Sequence, residues 1–248
     1  MKTYVVNMIK DTAKRVQIES QLSEHPELEY QIWKAVEGKK LSEDEQKTMI
    51  SPLFKERYKK GATLPAAGCA LSHMSIYRDI VLSKTKYALI LEDDAIISEN
   101  LKLEELTPLL STNEPVAILL TSDFFYYKKN FVKRVSDNYK VYKLCDAYMT
   151  SGYLINFACA QLLLDHIYPV QYTADAWKSF INIGVNLYGI VPHIISFPDG
   201  RGEIGQSSLD SKESIFIKMK HMLALLLIQF LWKVKYFEGY RVSKKKWR

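Results

Sequence analysis

The sequence feature that most restricts the fold is KYALILEDD at residues 86–94, an apolar run that ends in three carboxylates. A strand that is apolar on both faces must be covered on both sides, which is typical of parallel strands in α/β proteins. Adjacent acids repel one another, and each is costly to bury without a partner. Glu92, Asp93 and Asp94 therefore lie either in a solvated acidic turn or beside a positive charge.

Apolar runs and helix signals alternate along the rest of the chain. Ser42 and Glu45 form a capping-box pattern, and Thr173 is expected to cap a short helix with Asp175 in its first turn. Strands are predicted over 3–8, 30–36, 86–91, 116–120, 140–144, 152–155 and, with a break at Pro192, 187–197; helices are predicted over 10–22, 42–58, 65–83 and 157–167. This alternation predicts an α/β fold with helices on the faces of a sheet.

Polar residues follow several of the predicted strands. Asn7, the acids at 92–94 and Asp123 all come where a strand ends. Open α/β sheets bind ligands at the carboxyl ends of their strands, so these positions predict a binding site. Mg²⁺ and Mn²⁺ prefer oxygen ligands and are often held by one or two carboxylates together with substrate phosphates. Glu92 and Asp94 are spaced so that both could face one cation, and a solvated acidic turn is the alternative.

Cysteine usage and the amino terminus bear on the compartment. Three scattered cysteines, Cys69, Cys145 and Cys159, lack metal-ligand spacing and favour a reducing compartment without disulfides. The first residues, MKTYVVNMIKDTAKR, contain no apolar core of a signal peptide. We therefore expect a cytoplasmic protein.

The basic charge is concentrated near the carboxyl terminus. The net charge is +6, and residues 212–248 hold 10 Lys or Arg and two acids, so the rest of the chain is slightly acidic. This distribution argues against nucleic acid as a partner and favours an anionic membrane surface. The apolar run at 222–232 is shorter than the ~20 residues that span a bilayer. We expect one domain at 1–210 and a basic, amphipathic, membrane-associating helical tail at 211–248; the alternative is a helix packed on the domain.

Short blocks in a fixed order carry a resemblance to a known family: YVVNM at 4–8 followed by Lys14 and Arg15, AVEG at 35–38, GCALSH at 68–73 and LILEDD at 89–94. The pattern resembles glycosyltransferase family 25, which includes lipooligosaccharide galactosyltransferases of Gram-negative bacteria. SGYLIN and Asp175 fit the family pattern more loosely. The resemblance covers roughly residues 3–210 and implies a GT-A-like fold, with a Rossmann-type, mostly parallel sheet flanked by helices.

The resemblance also implies a reaction and its residues. An inverting enzyme would transfer a hexose from a UDP-sugar, galactose before glucose, to a lipooligosaccharide core at the inner membrane. The acids at 92–94 would be the counterpart of a DxD motif and would bind Mn²⁺ or Mg²⁺ through Glu92 and Asp94, with His193 as a third ligand. Asp175 is expected to be the general base, with Asp94 also catalytic. The residues expected to bind the donor are Asn7, Arg15, Ala35, Glu37, Gly38, Ser72, His73 and Asp93.

Several of these residues also have ordinary structural explanations. Arg15 could be a solvated helix residue, Glu37 a surface acid in a turn, and His73 a buried core histidine. An acid in the first turn of a helix, as expected for Asp175, is stabilised by the helix dipole without any catalytic role.

Two other classes of function are compatible with the acids. A Mg²⁺-dependent nucleotidyltransferase generally requires a Gly- and Lys-rich phosphate loop near the first strand, and the sequence contains none. A membrane-bound carbohydrate-binding module would not need a metal. The sequence carries no indication of an oligomeric state. A polar loop at 198–208, with Asp199 and Gln206, could order over a bound donor.

Overall fold

The computed structural model describes residues 1–134, 138–198 and 238–240. The first part of the chain forms β1 (Lys2–Asn7), α1 (Thr12–Leu22), β2 (Glu29–Lys34), α2 (Glu43–Met49), α3 (Pro52–Tyr58), α4 (Leu64–Leu82), β3 (Tyr87–Glu92) and β4 (Ile96–Ile97). The second part forms α5 (Thr107–Leu110), β5 (Val116–Leu119), β6 (Phe124–Arg134), β7 (Lys140–Ala147), β8 (Gly152–Asn156), α6 (Phe157–Ile167), α7 (Trp177–Asn182), β9 (Asn186–Val191), β10 (Ile195–Ser196) and β11 (Glu238–Tyr240).

Nine of these strands form one mixed sheet in the order β11-β6-β7-β9-β5-β8-β3-β1-β2. Six strands share one direction, and β7, β8 and β11 oppose them, so the predicted α/β sheet with mostly parallel strands is confirmed for strand direction. The pairing of adjacent strands differs from the expected parallel arrangement. Five of the eight adjacent pairs in the described sheet are antiparallel: β8 with β3 and with β5, β7 with β9 and with β6, and β11 with β6. The acids at the end of β3 still lie at the same sheet edge as Asn7, since β1 and β3 are parallel.

The central strand β3 is buried on both faces, as its composition predicts. Ala88 and Ile90 pack into the core on one side, and Leu89 and Leu91 pack into the core on the other. Helices α4 and α6 cover the first side, whereas α1 and the segment around α5 cover the second. Fully burying an aliphatic side chain stabilises a fold by about 1.5–3 kcal/mol. The apolar run therefore fixes where the acids that follow it emerge.

The helix predicted over 42–58 is in fact two helices. Ser42 and Glu45 make the expected capping box at the start of α2. The helix ends at Met49, and Ile50 is extended and bridges Val170. Ser51, also extended, caps α3, whose first residue is Pro52. Proline has no N–H and forces the residue before it out of the helical region, so the break follows from Pro52.

The expected helix around Asp175 begins later than predicted. Helix α7 starts at Trp177 with Ala176 as its N-cap, and no side chain caps it. Thr173 instead accepts a hydrogen bond from the Ala176 amide through its carbonyl. Asp175 therefore precedes the helix, which makes the expectation of a first-turn position wrong.

Strands β4 and β6 were not predicted from the sequence. The predicted break at Pro192 is confirmed, since β9 ends at Val191 and β10 starts at Ile195. Within the described ranges, no helix is both long and apolar enough to cross a bilayer. The loop residues Asp199 and Gln206, and the tail expected at 211–248 apart from β11, lie outside the described residues.

Candidate active site

Asp93 is held by two residues from the amino-terminal end of the chain. The Asn7 amide at the end of β1 donates to Asp93 Oδ2 over 2.8 Å, and Lys14 Nζ from α1 lies 3.5 Å from Oδ1. Burial raises the pKa of Asp93, against the lowering effects of Asn7 and Lys14. The parallel pairing of β1 and β3 brings Asn7 to this carboxylate, as the positions of both residues at strand ends predict.

Glu92 is held from the opposite side by a buried polar network. The Thr150 hydroxyl donates to Glu92 Oε1, and His73 Nε2 lies 3.6 Å from the same oxygen. The other ring nitrogen of His73 is 2.7 Å from the Tyr153 hydroxyl, which in turn bonds that of Tyr77. Burial opposes ionisation of Glu92, but His73 and Thr150 outweigh it, so the pKa of Glu92 is lowered and the carboxylate is charged.

Asp94 is the acid that has no such support. Its Oδ1 is buried and has no hydrogen-bond partner among the described residues. Burial, followed by the charge of Glu92, raises the pKa of Asp94, and Lys14 only partly offsets these effects. Three acids beside one lysine leave this edge of the sheet with surplus negative charge, which is the environment that a bound cation stabilises.

Cys69 lies on the helix face that looks toward the same acids. The Cys69, His73 and Glu92 ligand atoms all lie within 4.8 Å of one another, and they form the one such group of three or more found in the described part of the chain. Burial, then the charges of Glu92 and Asp175, raise the pKa of the Cys69 thiol. Asp175, from a distant segment, is therefore near enough to Cys69 for its charge to act on the thiol.

Trp177 fixes the segment that carries Asp175. Its ring is fully buried and packs edge-on against Tyr153, with 5.2 Å between ring centroids. The indole N–H donates to the Met149 carbonyl over 2.9 Å. Met149 has a φ of 71°, which is uncommon for a residue other than glycine. The strained turn at Met149 is followed directly by Thr150, which bonds Glu92.

A groove of about 520 Å³ opens at the carboxyl ends of β1 and β2. Three lysines and two of the predicted donor residues are among the side chains around it: Lys10, Lys34, Lys40, Ala35 and Glu37. Glu37 pairs with Lys40, which lowers the pKa of the carboxylate. Glu45 also lines the groove, so three lysines and two glutamates surround it and the lysines are in slight excess.

Gly38 and Ser72 shape the wall of this groove. A Cβ on Gly38 would meet the Leu64 carbonyl oxygen at 1.8 Å, so only glycine allows the segment after β2 to contact α4. The Ser72 hydroxyl donates to the Gly68 carbonyl at 2.7 Å and accepts from the Val36 amide at 2.8 Å. Ser72 is fully buried, so its contacts are with the protein, and a role in donor binding stays a prediction.

Arg15 and His193 each contact a residue other than the acids at 92–94. Arg15 pairs with Glu19 on the exposed side of α1, and the adjacent Lys14 contacts Asp93 instead. His193 is buried with its ring 5.5 Å from that of Phe124, and burial lowers its pKa to about 4. Its imidazole is therefore neutral near pH 7, the form that binds metals. The expected roles of both residues stay predictions.

Sequence reasoning missed Lys14, Thr150, Tyr153 and Cys69 as parts of the site. Lys14 and Cys69 lie inside the motif blocks, so a signal was present. Thr150 and Tyr153 had none, because their relation to Glu92 depends on the pairing of β8 with β3.

Comparisons with known proteins identify the family of this chain. The model of the family described as "Glycosyltransferase family 25 (LPS biosynthesis protein)" matches residues 1–177. The chain belongs to glycosyltransferase family 25. It is also 27% identical over 205 residues to a protein of Acanthamoeba polyphaga mimivirus, R655, whose name describes it provisionally as a glycosyltransferase. That match covers 79% of this chain and 62% of the relative, so the chain spans about three fifths of the curated relative it matches.

Proposed function

We propose that this family 25 member is an inverting glycosyltransferase with a GT-A-like fold. It moves a hexose, galactose as first choice and glucose as second, from a UDP-sugar to a lipooligosaccharide or lipopolysaccharide core. The observation that carries the proposal is Asp94, whose buried Oδ1 has no hydrogen-bond partner in the described residues and lies beside two further acids. A cation completes such a site, and a hard cation joins carboxylates to a diphosphate.

The groove at the carboxyl ends of β1 and β2 supports a nucleotide donor. Lys10, Lys34 and Lys40 lie around it together with two glutamates, and the slight excess of positive charge favours a diphosphate. Its volume of about 520 Å³ is within the usual range of ligand pockets, roughly 300–1,000 Å³. Glu37 stands in the wall, where a carboxylate could accept hydrogen bonds from ribose hydroxyls.

The acidic cluster also fits a divalent metal. Glu92 and Asp94 are the proposed protein ligands. A bound Mn²⁺ or Mg²⁺ would neutralise negative charge that develops on the leaving diphosphate. Thr150 orients Glu92, and Asn7 orients the adjacent Asp93. Ligands held in this way lose little freedom on binding, which favours affinity.

Asp175 is the proposed general base for the acceptor hydroxyl. Its charge acts on Cys69, and it is carried by a segment anchored through Trp177. Asp146 at the end of β7 is a second acid near it, because the charge of Asp175 contributes, after burial, to the raised pKa of Asp146.

Replacing the base tests this assignment. Asp175→Asn is expected to lower turnover at least ~100-fold, since general-base catalysis contributes about that much, while UDP-sugar affinity stays unchanged. Steady-state turnover and equilibrium binding are both measured. The control is Asp165→Asn, which alters an exposed acid on α6 that bonds Gln161. Near-normal turnover of Asp175→Asn would remove Asp175 from this role.

A screen of UDP-sugars with Mn²⁺ tests the proposed function as a whole. Each donor is incubated with the protein and a lipooligosaccharide core, and released UDP is quantified. We expect release with UDP-galactose or UDP-glucose that is lost on chelation of the metal. Pyrophosphate as the product would favour a nucleotidyltransferase. Donor binding without release of either product would favour a carbohydrate-binding module.

A further inference from the structure

Cys69 and His73 present two metal-ligating groups on one face of a helix. They are four residues apart on α4, a spacing that places side chains one above the other. The same spacing puts two ligands on one zinc ion in other helical metal sites. Glu92, at the end of β3, supplies a third ligand atom within 4.8 Å of both. The three residues offer sulfur, nitrogen and oxygen, a mixed set that suits a borderline-soft cation.

The hydrogen bonding of His73 resembles that of a metal-ligating histidine. The Nδ1 atom is occupied by the Tyr153 hydroxyl at 2.7 Å. Metal-ligating histidines commonly use the second ring nitrogen for such an orienting hydrogen bond. The Nε2 atom is buried and has no hydrogen-bond partner in the described residues, and the imidazole is 1% exposed. Nε2 therefore points, without a partner, into the space between Cys69 and Glu92.

The distance between His73 Nε2 and Glu92 Oε1 agrees with two ligands of one cation. His73 Nε2 and Glu92 Oε1 are 3.6 Å apart, too far for a hydrogen bond. Two ligands at the ~2.0–2.1 Å bond lengths of zinc in a tetrahedral site stand about 3.4 Å apart. A cation between these two atoms would lie within ligand distance of both.

We propose that Cys69, His73 and Glu92 form a binding site for a thiophilic divalent cation of the Zn²⁺ class. Three protein ligands leave one coordination position open. Binding releases the thiol proton of Cys69 to solvent, and the negative charges of Glu92 and Asp175 compensate the added cation. The site shares Glu92 with the proposed Mn²⁺ site but does not depend on sugar transfer, because Asp94 takes no part in it.

Cobalt titration of the full chain tests the site directly. Co²⁺ replaces Zn²⁺ in such sites, and a Co²⁺–thiolate bond gives a charge-transfer band in the near ultraviolet. We expect one equivalent of Co²⁺ to produce this band and Zn²⁺ to abolish it. Cys69→Ser should lose the band, whereas the control Cys145→Ser, which removes a thiol outside the cluster, should keep it.

Two further variants separate this proposal from the transferase proposal. Asp94→Asn should keep the Co²⁺–thiolate band even if Mn²⁺-dependent activity is lost. Tyr153→Phe, which removes the hydroxyl that orients His73, should weaken Co²⁺ binding about tenfold. Circular dichroism confirms that each variant is folded. A band that is absent from the unaltered protein, or that persists in folded Cys69→Ser, overturns the proposal whatever the outcome for sugar transfer.

Discussion

At the scale of single residues, the environment of Asp94 opposes ionisation of its carboxyl group. Burial is the main reason that its pKa is raised, and the charge of Glu92 comes next. A raised pKa means that the folded chain resists ionisation of the group. The resulting cost to stability is absent below the unfolded pKa of about 3.8 and grows as the pH rises through the folded pKa. An acid retained at such a cost is commonly functional.

Asp94→Asn is therefore expected to stabilise the protein while it removes activity. At pH 7 the melting temperature should rise by about 2 °C, which corresponds to somewhat under ~1 kcal/mol for a chain of this size. The difference should shrink as the pH is lowered toward 4. Calorimetry at several pH values and UDP release with Mn²⁺ give the two readouts. At each pH, the melting temperature of the unaltered protein is subtracted from that of Asp94→Asn. A difference that is smaller at pH 7 than at pH 4 would contradict the electrostatic argument.

At the scale of elements, the contact between α4 and the turn after β2 positions the groove. Gly68 on α4 meets Gly38 in that turn, and a Cβ on Gly68 would lie 2.6 Å from both the Gly38 nitrogen and the Val36 oxygen. All of these neighbours are backbone atoms, which cannot move aside as a flexible side chain can. Ser72 reinforces the contact through its bond from the Val36 amide. The GCALSH block therefore has a structural reason for its glycine.

Gly68→Ala is expected to destabilise the fold although alanine is the better helix former. Helix propensity alone would favour alanine by about 1 kcal/mol. Overpacking against backbone should outweigh this gain, for a net loss of about 2 kcal/mol in the free energy of unfolding. The control is Gly61→Ala, because the nearest atom to a Cβ there is 3.9 Å away. Urea denaturation compares the two variants, and a Gly68→Ala protein as stable as the control would show that the contact is not tight.

At the scale of the whole molecule, the basic carboxyl terminus is expected to place the sheet edge near an anionic surface. The domain body is slightly acidic, so attraction to such a surface would come from the tail. Each Lys near an anionic bilayer contributes about 1 kcal/mol. The proposed acceptor is itself a membrane lipid, which gives this placement a purpose.

Neutralising three tail lysines tests the placement without shortening the chain. Replacing Lys244→Gln, Lys245→Gln and Lys246→Gln together should weaken binding to phosphatidylserine vesicles about 100-fold, as ~3 kcal/mol requires. Vesicle co-sedimentation measures the affinity. The matched control changes Lys47→Gln, an exposed lysine on α2, and should bind normally. Unchanged binding of the triple variant would contradict a membrane-associating tail.

The sequence by itself determined the alternating elements, the buried strand that ends in acids, and the family. These features are local: periodicity, adjacency and the order of short motifs are all written along the chain. Only the tertiary structure decided which groups meet those acids. Asn7, Lys14, His73 and Thr150 come from four segments, and Thr150 reaches Glu92 because β8 pairs antiparallel with β3. Strand order and register depend on how the two cores pack, and no local pattern in the sequence contains that information.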